Sequence, residues 1–161
     1  MSGKLKKVEV FLSFAAKDAP VAEELWSYLN DALISSRHYA WHLWGFTKEL
    51  LVGENFDQEI QKALQEADLG VFALSSGFLN SPYIRNKELP AFLDEAQNRR
   101  IIPVQMKALS SNADLHGLQT RQIFRYKSPY WAGRAPHSRE AWAIDLADEM
   151  HRVAQKYGLG K

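Results

Sequence analysis

The order of apolar segments along the sequence predicts an α/β fold in which helices cover both faces of a parallel sheet. Near-continuous apolar runs at residues 8–14, 69–75 and 100–106 are short, as expected for strands that are buried on both faces. Segments with apolar residues at helical spacing alternate with strands, and this alternation is typical of parallel sheets with right-handed crossovers. We therefore expect a doubly wound, five-stranded parallel sheet.

Five segments have the length and composition of strands: Val8–Phe14, His38–Trp44, Leu69–Ser75, Arg100–Met106 and Arg121–Tyr126. In the flavodoxin-like arrangement of such a sheet, the strand order is 2-1-3-4-5, with helices on both faces. Pro103 lies within the fourth segment and has no N–H group to donate. It therefore predicts a bulge or a strand end at that position.

Capping residues mark the helices that connect these strands. Asp18 is expected to cap the first helix, with Pro20 in its first turn. Asn55 is expected to cap the second helix, which carries an apolar stripe. Ser138 is expected to cap the last helix, and Gly158 to end it.

Length and composition indicate one domain at residues 7–157, with a lead-in at 1–6 and a tail at 158–161. The chain has 161 residues, of which 46% are hydrophobic and 24% are charged, as in globular proteins. Twenty basic residues against 19 acidic ones leave no basic excess for nucleic acid. The absence of cysteine excludes disulfides and thiolate chemistry. Without an apolar run of signal or membrane-spanning length, we expect a soluble, cytoplasmic protein that contacts no membrane.

The segment after the third strand contains the best candidate for a functional group, Glu88. In a doubly wound sheet, ligands bind at the switch point, outside the carboxyl ends of strands one and three. In this chain those ends are followed by residues 14–18 and 75–88. Topology therefore predicts a ligand site next to Glu88.

Pro90 places Glu88 at a break in a helix. A proline disfavours the α conformation at Leu89 and cannot donate a hydrogen bond to the carbonyl group of Asn86. Either a helix that starts near Ser81 is kinked here, or the helix starts near Asn86 with Pro90 in its first turn. Both alternatives hold Glu88 near unsatisfied backbone groups. A glutamate in such a place can also do no more than stabilise a helix N-terminus.

Four segments resemble motifs of the TIR (Toll/interleukin-1 receptor) domain of the bacterial kind, in the same order and spacing. The resemblance extends over about residues 7–157. The segments correspond to a first box with its strand, a BB loop with the helix after it, a segment that ends in Glu-Leu, and a later strand with a downstream Leu-Gln: Val10–Phe14, Leu51–Leu64, Ser75–Leu89, and Ile102–Val104 with Leu118–Gln119.

This resemblance implies an enzymatic reaction. Many TIR domains cleave NAD+ at the bond between nicotinamide and ribose, and some cyclise the remaining ADP-ribose into a signalling nucleotide. The catalytic glutamate of the family maps onto Glu88. Cleavage passes through an oxocarbenium-like transition state, which a nearby carboxylate stabilises. Nicotinamide leaves as a neutral molecule, so a pair of carboxylates is not required. NAD+ is expected to be the substrate, and we expect no cofactor and no bound metal.

By the same resemblance, five residues are expected to bind the substrate: Phe14, Ala15, Phe46, Leu50 and Tyr83. The sequence departs from the family pattern at three places. Ala15 and Ala16 stand where an arginine is frequent, Phe46 where an aspartate often begins the BB loop, and Ile84 where many enzymatic members have a tryptophan. Tyr83, one residue earlier, either stacks on nicotinamide or anchors the loop.

The apolar tip Leu50-Leu51-Val52 of the expected BB loop has two interpretations. It packs against its own loop, or it docks onto another TIR domain. The resemblance favours docking, because TIR domains often complete the active site across a head-to-tail contact. We therefore expect activation by self-assembly, with a sensor domain or partner chain as trigger and a role in immunity against phage.

Other functions are compatible with the sequence. A non-catalytic TIR–TIR interaction module, as an adaptor or a virulence mimic, fits the missing arginine and tryptophan. A nucleoside deoxyribosyltransferase shares the sheet and a glutamate that acts on a glycosidic bond. His38 and His42 share one face of their segment, but no third ligand of suitable spacing accompanies them.

Overall fold

A parallel sheet, with four strands among the residues that the structure describes, forms the centre of the protein. A computed structural model describes residues 4–45, 56–93, 100–118, 123–124 and 130–161. The strands are β1 (Lys6–Ser13), β2 (Tyr39–Trp44), β3 (Leu69–Leu74) and β4 (Arg100–Gln105), in the order β2-β1-β3-β4. All three neighbouring pairs are parallel. The predicted α/β class and the order of the first four strands are therefore confirmed.

The prediction of five strands is wrong for the described part of the chain. Only residues 123–124 of the fifth segment are described, and Phe124 makes a single parallel bridge to Val104. The N–H group of Phe124 donates to the carbonyl group of Pro103 (2.7 Å), and that of Gln105 donates to the carbonyl group of Phe124 (3.3 Å). Pro103 faces this edge without an N–H group, so it cannot supply the next ladder bond. No bulge or strand end forms at Pro103, because β4 runs through it in continuous register with β3.

Helices cover both faces of the sheet, as predicted. They are α1 (Ala19–Ile34), α2 (Phe56–Glu66), α3 (Ser76–Leu79), α4 (Leu89–Leu93) and α5 (Pro136–Tyr157), with a π-helical turn at Ile84–Glu88 and 3-10 turns at Ala16–Asp18 and Trp131–Gly133. Helices α1 and α5 contribute buried side chains to one core, and α2, α3 and α4 contribute to a second core on the other face. Asn55, the expected cap of α2, lies outside the described residues.

Side chains alternate along β1 between these two cores. Val8, Val10 and Leu12 belong to the core under α1 and α5, whereas Phe11 belongs to the core under α2 and α4. Ser13 follows Phe11 by two residues, so its side chain lies on the same face as Phe11. The residue is 1% exposed. Ser13 is therefore a polar residue at a position of β1 whose side chain faces the second core.

Two residues expected to be caps have other roles. Asp18 precedes α1, but its side chain makes no capping hydrogen bond. Helix α5 begins before Ser138, at Pro136, because proline suits the first position of a helix. The hydroxyl group of Ser138 instead accepts a hydrogen bond from Arg134 (2.8 Å). Gly158 ends α5 in the left-handed conformation (φ 61°), as predicted.

The C-terminal residues contact the start of β1. Lys161 and Lys7 exchange two backbone hydrogen bonds of 3.0 Å each. Residues 158–161, which were expected to form a tail, are therefore attached to the sheet. Among the helices of the described ranges, none has the length and apolar character required to cross a membrane.

Gly70→Ala is expected to destabilise the protein by about 1–3 kcal/mol. A Cβ atom at this position of β3 would lie 2.8 Å from Cε1 of Phe92, whose ring is buried in the second core. Urea unfolding measures the effect. Gly77→Ala is the control, because its Cβ atom would meet the end of the flexible Lys17 side chain, which can move away. Equal unfolding midpoints for Gly70→Ala and the wild type would contradict the close packing of α4 on β3.

Candidate active site

A cavity of about 210 Å³ opens at the carboxyl ends of β1 and β3. Its described walls come from the end of β1 and the loop after it, from α2, and from the segment that leads to α4: Phe11, Leu12, Ser13, Phe14, Ala16, Ile60, Ser81, Tyr83, Ile84 and Glu88. Most of these side chains are apolar or aromatic, and a few polar groups are placed among them. Such a combination is typical of small-molecule sites. The cavity lies at the switch point between β1 and β3.

An irregular helix holds Glu88 in the cavity wall. The Oγ atom of Ser81 accepts a hydrogen bond from the N–H group of Ile84 (3.3 Å) and caps this helix. The helix then widens into the π-helical turn, in which the N–H group of Leu89 donates to the carbonyl group of Ile84. Pro90 follows, and it has no N–H group to donate. Of the two alternatives, a helix from near Ser81 with a break is therefore present, and π-helical turns are frequent at functional sites.

The carboxyl group of Glu88 is largely withdrawn from water. Glu88 is 6% exposed. Burial raises its pKa from 4.5 to about 7, and the hydroxyl group of Ser13 opposes this rise only in part. No cationic side chain in the described part of the chain contributes to the shift. Near neutral pH the group is therefore divided between a neutral acid and an anion, and a cationic ligand would stabilise the anion.

Ser13 is a second polar group in the cavity wall. Its Oγ atom is buried and forms no hydrogen bond of standard geometry with any described residue. It nevertheless lies close enough to Glu88 to lower the pKa of that carboxyl group. Buried hydroxyl groups nearly always have a partner in the protein, in ordered water or in a ligand. The two side chains together offer a ligand one acceptor and one group that both donates and accepts.

A buried charge network connects the loops around the cavity. Asp18 is 1% exposed, and its carboxylate accepts hydrogen bonds from the hydroxyl group of Ser75 and from Nζ of Lys107 (2.5 Å). The Oγ atom of Ser75 also accepts a hydrogen bond from the N–H group of Phe78 (3.0 Å), which caps α3. These residues follow β1, β3 and β4, so one carboxylate joins the ends of three strands. Loss of either donor would leave a buried charge short of partners, which is strongly destabilising.

Two of the expected substrate-binding residues, Phe14 and Tyr83, line the cavity. Ala15 is buried in the second core, and its neighbour Ala16 lines the cavity in its place. The other two expected substrate-binding residues, Phe46 and Leu50, lie outside the described residues, as do Leu51 and Val52 of the expected docking tip.

Sequence reasoning missed the role of Ser13 and the network around Asp18. A signal for Ser13 was available, because it is a polar residue in a nearly continuous apolar strand, on the face of Phe11. The network had no local signal. Lys107 is 89 residues from Asp18, and only the strand order brings the two together.

A second cavity, of about 190 Å³, lies between β1, β2 and α2. Its wall includes Glu9, whose Oε2 atom is 2.6 Å from Nδ1 of His42. These two side chains are 21% and 44% exposed, so they lack the burial that distinguishes Glu88. Within the described residues, no group of three or more His, Asp or Glu side chains could hold a metal ion. The cavity at Glu88 is therefore the better candidate for a reactive site.

Glu88→Gln is expected to remove a pH dependence of stability. Because the pKa of Glu88 is higher in the folded protein, the folded state binds more protons than the unfolded state between pH 4.5 and about 7. The contribution of Glu88 to the free energy of unfolding is therefore greatest below pH 4.5 and falls by about 3 kcal/mol as pH rises through 7. The glutamine variant lacks this loss, so it should gain stability relative to the wild type from about pH 5 to about pH 8.

Urea unfolding of both proteins at these two pH values measures the difference. Glu140→Gln is the matched control, because Glu140 is exposed on α5, and its effect should not vary in this way. A Glu88→Gln effect that is the same at both pH values would contradict the raised pKa.

Comparison with known proteins identifies the family. A family model described as "TIR domain" matches residues 10–135. The TIR domain of the Toll-related receptor TRR-2 from Hydra magnipapillata is 16% identical, with 72% of this chain and 82% of that chain covered and a TM-score of 0.53. The TIR domains of the activated Roq1 resistosome, which directly recognises the pathogen effector XopQ, are 17% identical, with 88% and 84% covered and a TM-score of 0.47.

At these identities the solved structures bear on the fold alone, and only the first is similar enough to support it. No curated protein matches the chain. The family model, in contrast, spans most of the sequence and includes the cavity residues from Phe11 to Glu88. The chain therefore belongs to the TIR-domain family.

Proposed function

We propose that this domain is an NAD+ glycohydrolase of the bacterial TIR kind, which cleaves the bond between nicotinamide and ribose. One observation carries the proposal: the Glu88 carboxyl group is buried in a cavity wall at the carboxyl ends of β1 and β3, with its pKa raised to about 7. Carboxyl groups with such a pKa in a cavity are common at active sites. Family membership adds support, because many TIR domains catalyse this reaction.

The reaction requires an anion beside C1′ of the ribose. As the C–N bond breaks, its electron pair leaves with nicotinamide, and positive charge develops on the ribosyl group. The Glu88 carboxylate stabilises that charge, and its effect is strong because Glu88 is largely withdrawn from water. A water molecule then adds to C1′ and loses a proton, so NAD+ and water yield ADP-ribose, nicotinamide and one proton. Attack by an adenine nitrogen in place of water yields a cyclic product.

The substrate itself favours the reactive form of Glu88. The nicotinamide ring of NAD+ carries a positive charge, and an opposite charge close to a carboxyl group lowers its pKa. Binding therefore converts the neutral acid into the anion that the reaction needs. A protein cation beside Glu88 would compete with the ring, and none in the described part of the chain contributes to its pKa. This arrangement supports a cationic substrate.

The size and walls of the cavity suit the nicotinamide end of NAD+. Its volume of about 210 Å³ is below the range of about 300–1,000 Å³ that is usual for pockets that enclose a drug-sized ligand. We infer that the nicotinamide riboside part enters and that the rest of the dinucleotide lies outside. Phe14 and Tyr83 offer aromatic rings for stacking on nicotinamide. Phe46 and Leu50 are proposed to complete the substrate contacts.

The proposal extends to regulation. The apolar tip Leu50-Leu51-Val52 is proposed to dock onto a second copy of the domain, so that assembly completes the active site. A sensor domain or partner chain would trigger this assembly. The nucleotide product would then act as a signal in the bacterial cytoplasm, in defence against phage. These steps are supported by what is common among members of the TIR family.

Wild-type protein at high concentration is expected to release nicotinamide from NAD+, and Glu88→Gln is expected to lower kcat by about 100- to 1,000-fold. Glutamine preserves the size of the side chain but carries no negative charge. Chromatography of nicotinamide and of linear and cyclic ADP-ribose measures the reaction. Glu140→Gln serves as the control and should retain wild-type activity, because Glu140 lies on α5, which covers the opposite face of the sheet.

The enzymatic proposal fails if concentrated or crowded wild-type protein releases no nicotinamide, or if Glu88→Gln matches the wild type. Self-association without turnover would instead favour the non-catalytic interaction module. Turnover of free deoxynucleosides would favour a deoxyribosyltransferase.

A further inference from the structure

Ser13 is a polar residue at a position that packing alone would give to an apolar side chain. It is the last residue of β1, it is 1% exposed, and it lies on the face that carries Phe11. It lines the same cavity as Glu88, and its Oγ atom forms no hydrogen bond of standard geometry with a described residue. Such a hydroxyl group destabilises the folded protein unless another partner satisfies it. The cavity is the place from which a ligand could supply that partner.

We propose that the Ser13 hydroxyl group binds a hydroxyl group of the ribose attached to nicotinamide, and thereby makes this domain selective for ribosides over deoxyribosides. The inference rests on the proposed function, because it requires the nicotinamide ribose to enter the cavity. It adds a substrate-binding residue and a reason for substrate choice.

The hydrogen-bonding capacities of the wall residues support this contact. An ionised Glu88 can only accept hydrogen bonds, whereas the Ser13 hydroxyl group can donate one and accept others. A ribose hydroxyl group between them can donate to Glu88 and accept from Ser13. The other serine of the wall, Ser81, caps the helix that leads to Glu88 through its Oγ atom and is only half-buried, so water can satisfy its hydroxyl group. Ser13 is therefore the serine of the wall that most needs a hydrogen bond from a ligand.

A role through Glu88 alone is the competing explanation. Ser13 lowers the pKa of Glu88, so its removal could act on the carboxyl group and not on the substrate. In that case every substrate would be affected equally, whichever hydroxyl groups it carries. A direct contact affects only substrates that possess the contacted hydroxyl group. A thermodynamic cycle, in which the protein and the substrate are changed separately and together, distinguishes the two explanations by the coupling free energy between Ser13 and the substrate hydroxyl group.

The experiment combines Ser13→Ala with two NAD+ analogues that lack the 2′- or the 3′-hydroxyl group of the nicotinamide ribose. We expect Ser13→Ala to lower kcat/KM for NAD+ by about three- to tenfold, the usual effect of one lost hydrogen bond. For one of the analogues the variant and the wild type should be equal. The exposed Ser35, whose Oγ atom bonds to the carbonyl group of Ala32, provides the control variant Ser35→Ala.

Thermal unfolding of the unliganded protein gives a second readout that needs no activity. Alanine removes a buried hydroxyl group that has no partner of standard geometry, so the Tm of Ser13→Ala should equal or exceed that of the wild type. A clearly lower Tm would mean that the folded protein already satisfies this hydroxyl group, and it would overturn the inference.

The kinetic outcomes separate the inference from the proposed function. If Ser13→Ala lowers kcat/KM equally for NAD+ and for both analogues, the ribose contact is overturned. Ser13 then acts on the reaction through the carboxyl group of Glu88. An unchanged kcat/KM of Ser13→Ala for NAD+ would also overturn the ribose contact, but the proposed glycohydrolase activity would stand. If the wild type cleaves no NAD+, the proposed function fails and this inference fails with it.

Discussion

The buried carboxylate of Asp18 connects the segments that follow three strands of the sheet. The hydroxyl group of Ser75 and the ammonium group of Lys107 both donate to it, and these residues follow β3 and β4. If the loops at the carboxyl edge separate, this carboxylate is left buried without its hydrogen-bond donors or becomes exposed. Loss of its partners strongly destabilises the folded protein. Ser75 also caps α3, from which the chain continues to Glu88. The position of the candidate catalytic group therefore depends on the network around Asp18.

The same edge of the sheet carries two polar groups that do not help the protein to fold. Burial raises the pKa of Glu88, and the Oγ atom of Ser13 has no hydrogen bond of standard geometry among the described residues. An apolar residue at position 13 would suit the second core better. Proteins often accept such losses of stability at functional sites. A ligand with a positive charge and hydroxyl groups would satisfy both side chains at once.

Local patterns in the sequence predicted most of the fold but not the contacts that build the site. The bounds of β1, β3 and β4 agree with the apolar runs to within two residues, because burial on both faces leaves a continuous signal. The prediction of a fifth strand was wrong for the described residues, of which only Phe124 bridges to β4, at an edge where Pro103 has no N–H group to donate. Pro90 narrowed the conformation at Glu88 to two alternatives, and only the structure distinguished between them. Topology placed Glu88 near the switch point, but its raised pKa arises from burial by residues that are distant in sequence.

We propose that the desolvated Glu88 carboxyl group becomes an anion when a cationic nicotinamide ring binds beside it. A 13C NMR titration can follow the Glu88 carboxyl carbon with and without a carbocyclic NAD+ analogue that cannot form a ribosyl cation. We expect a pKa near 7 in the free protein and a clearly lower pKa in the complex. A pKa close to 4.5 in the free protein, or no change when the analogue saturates the protein, would contradict it.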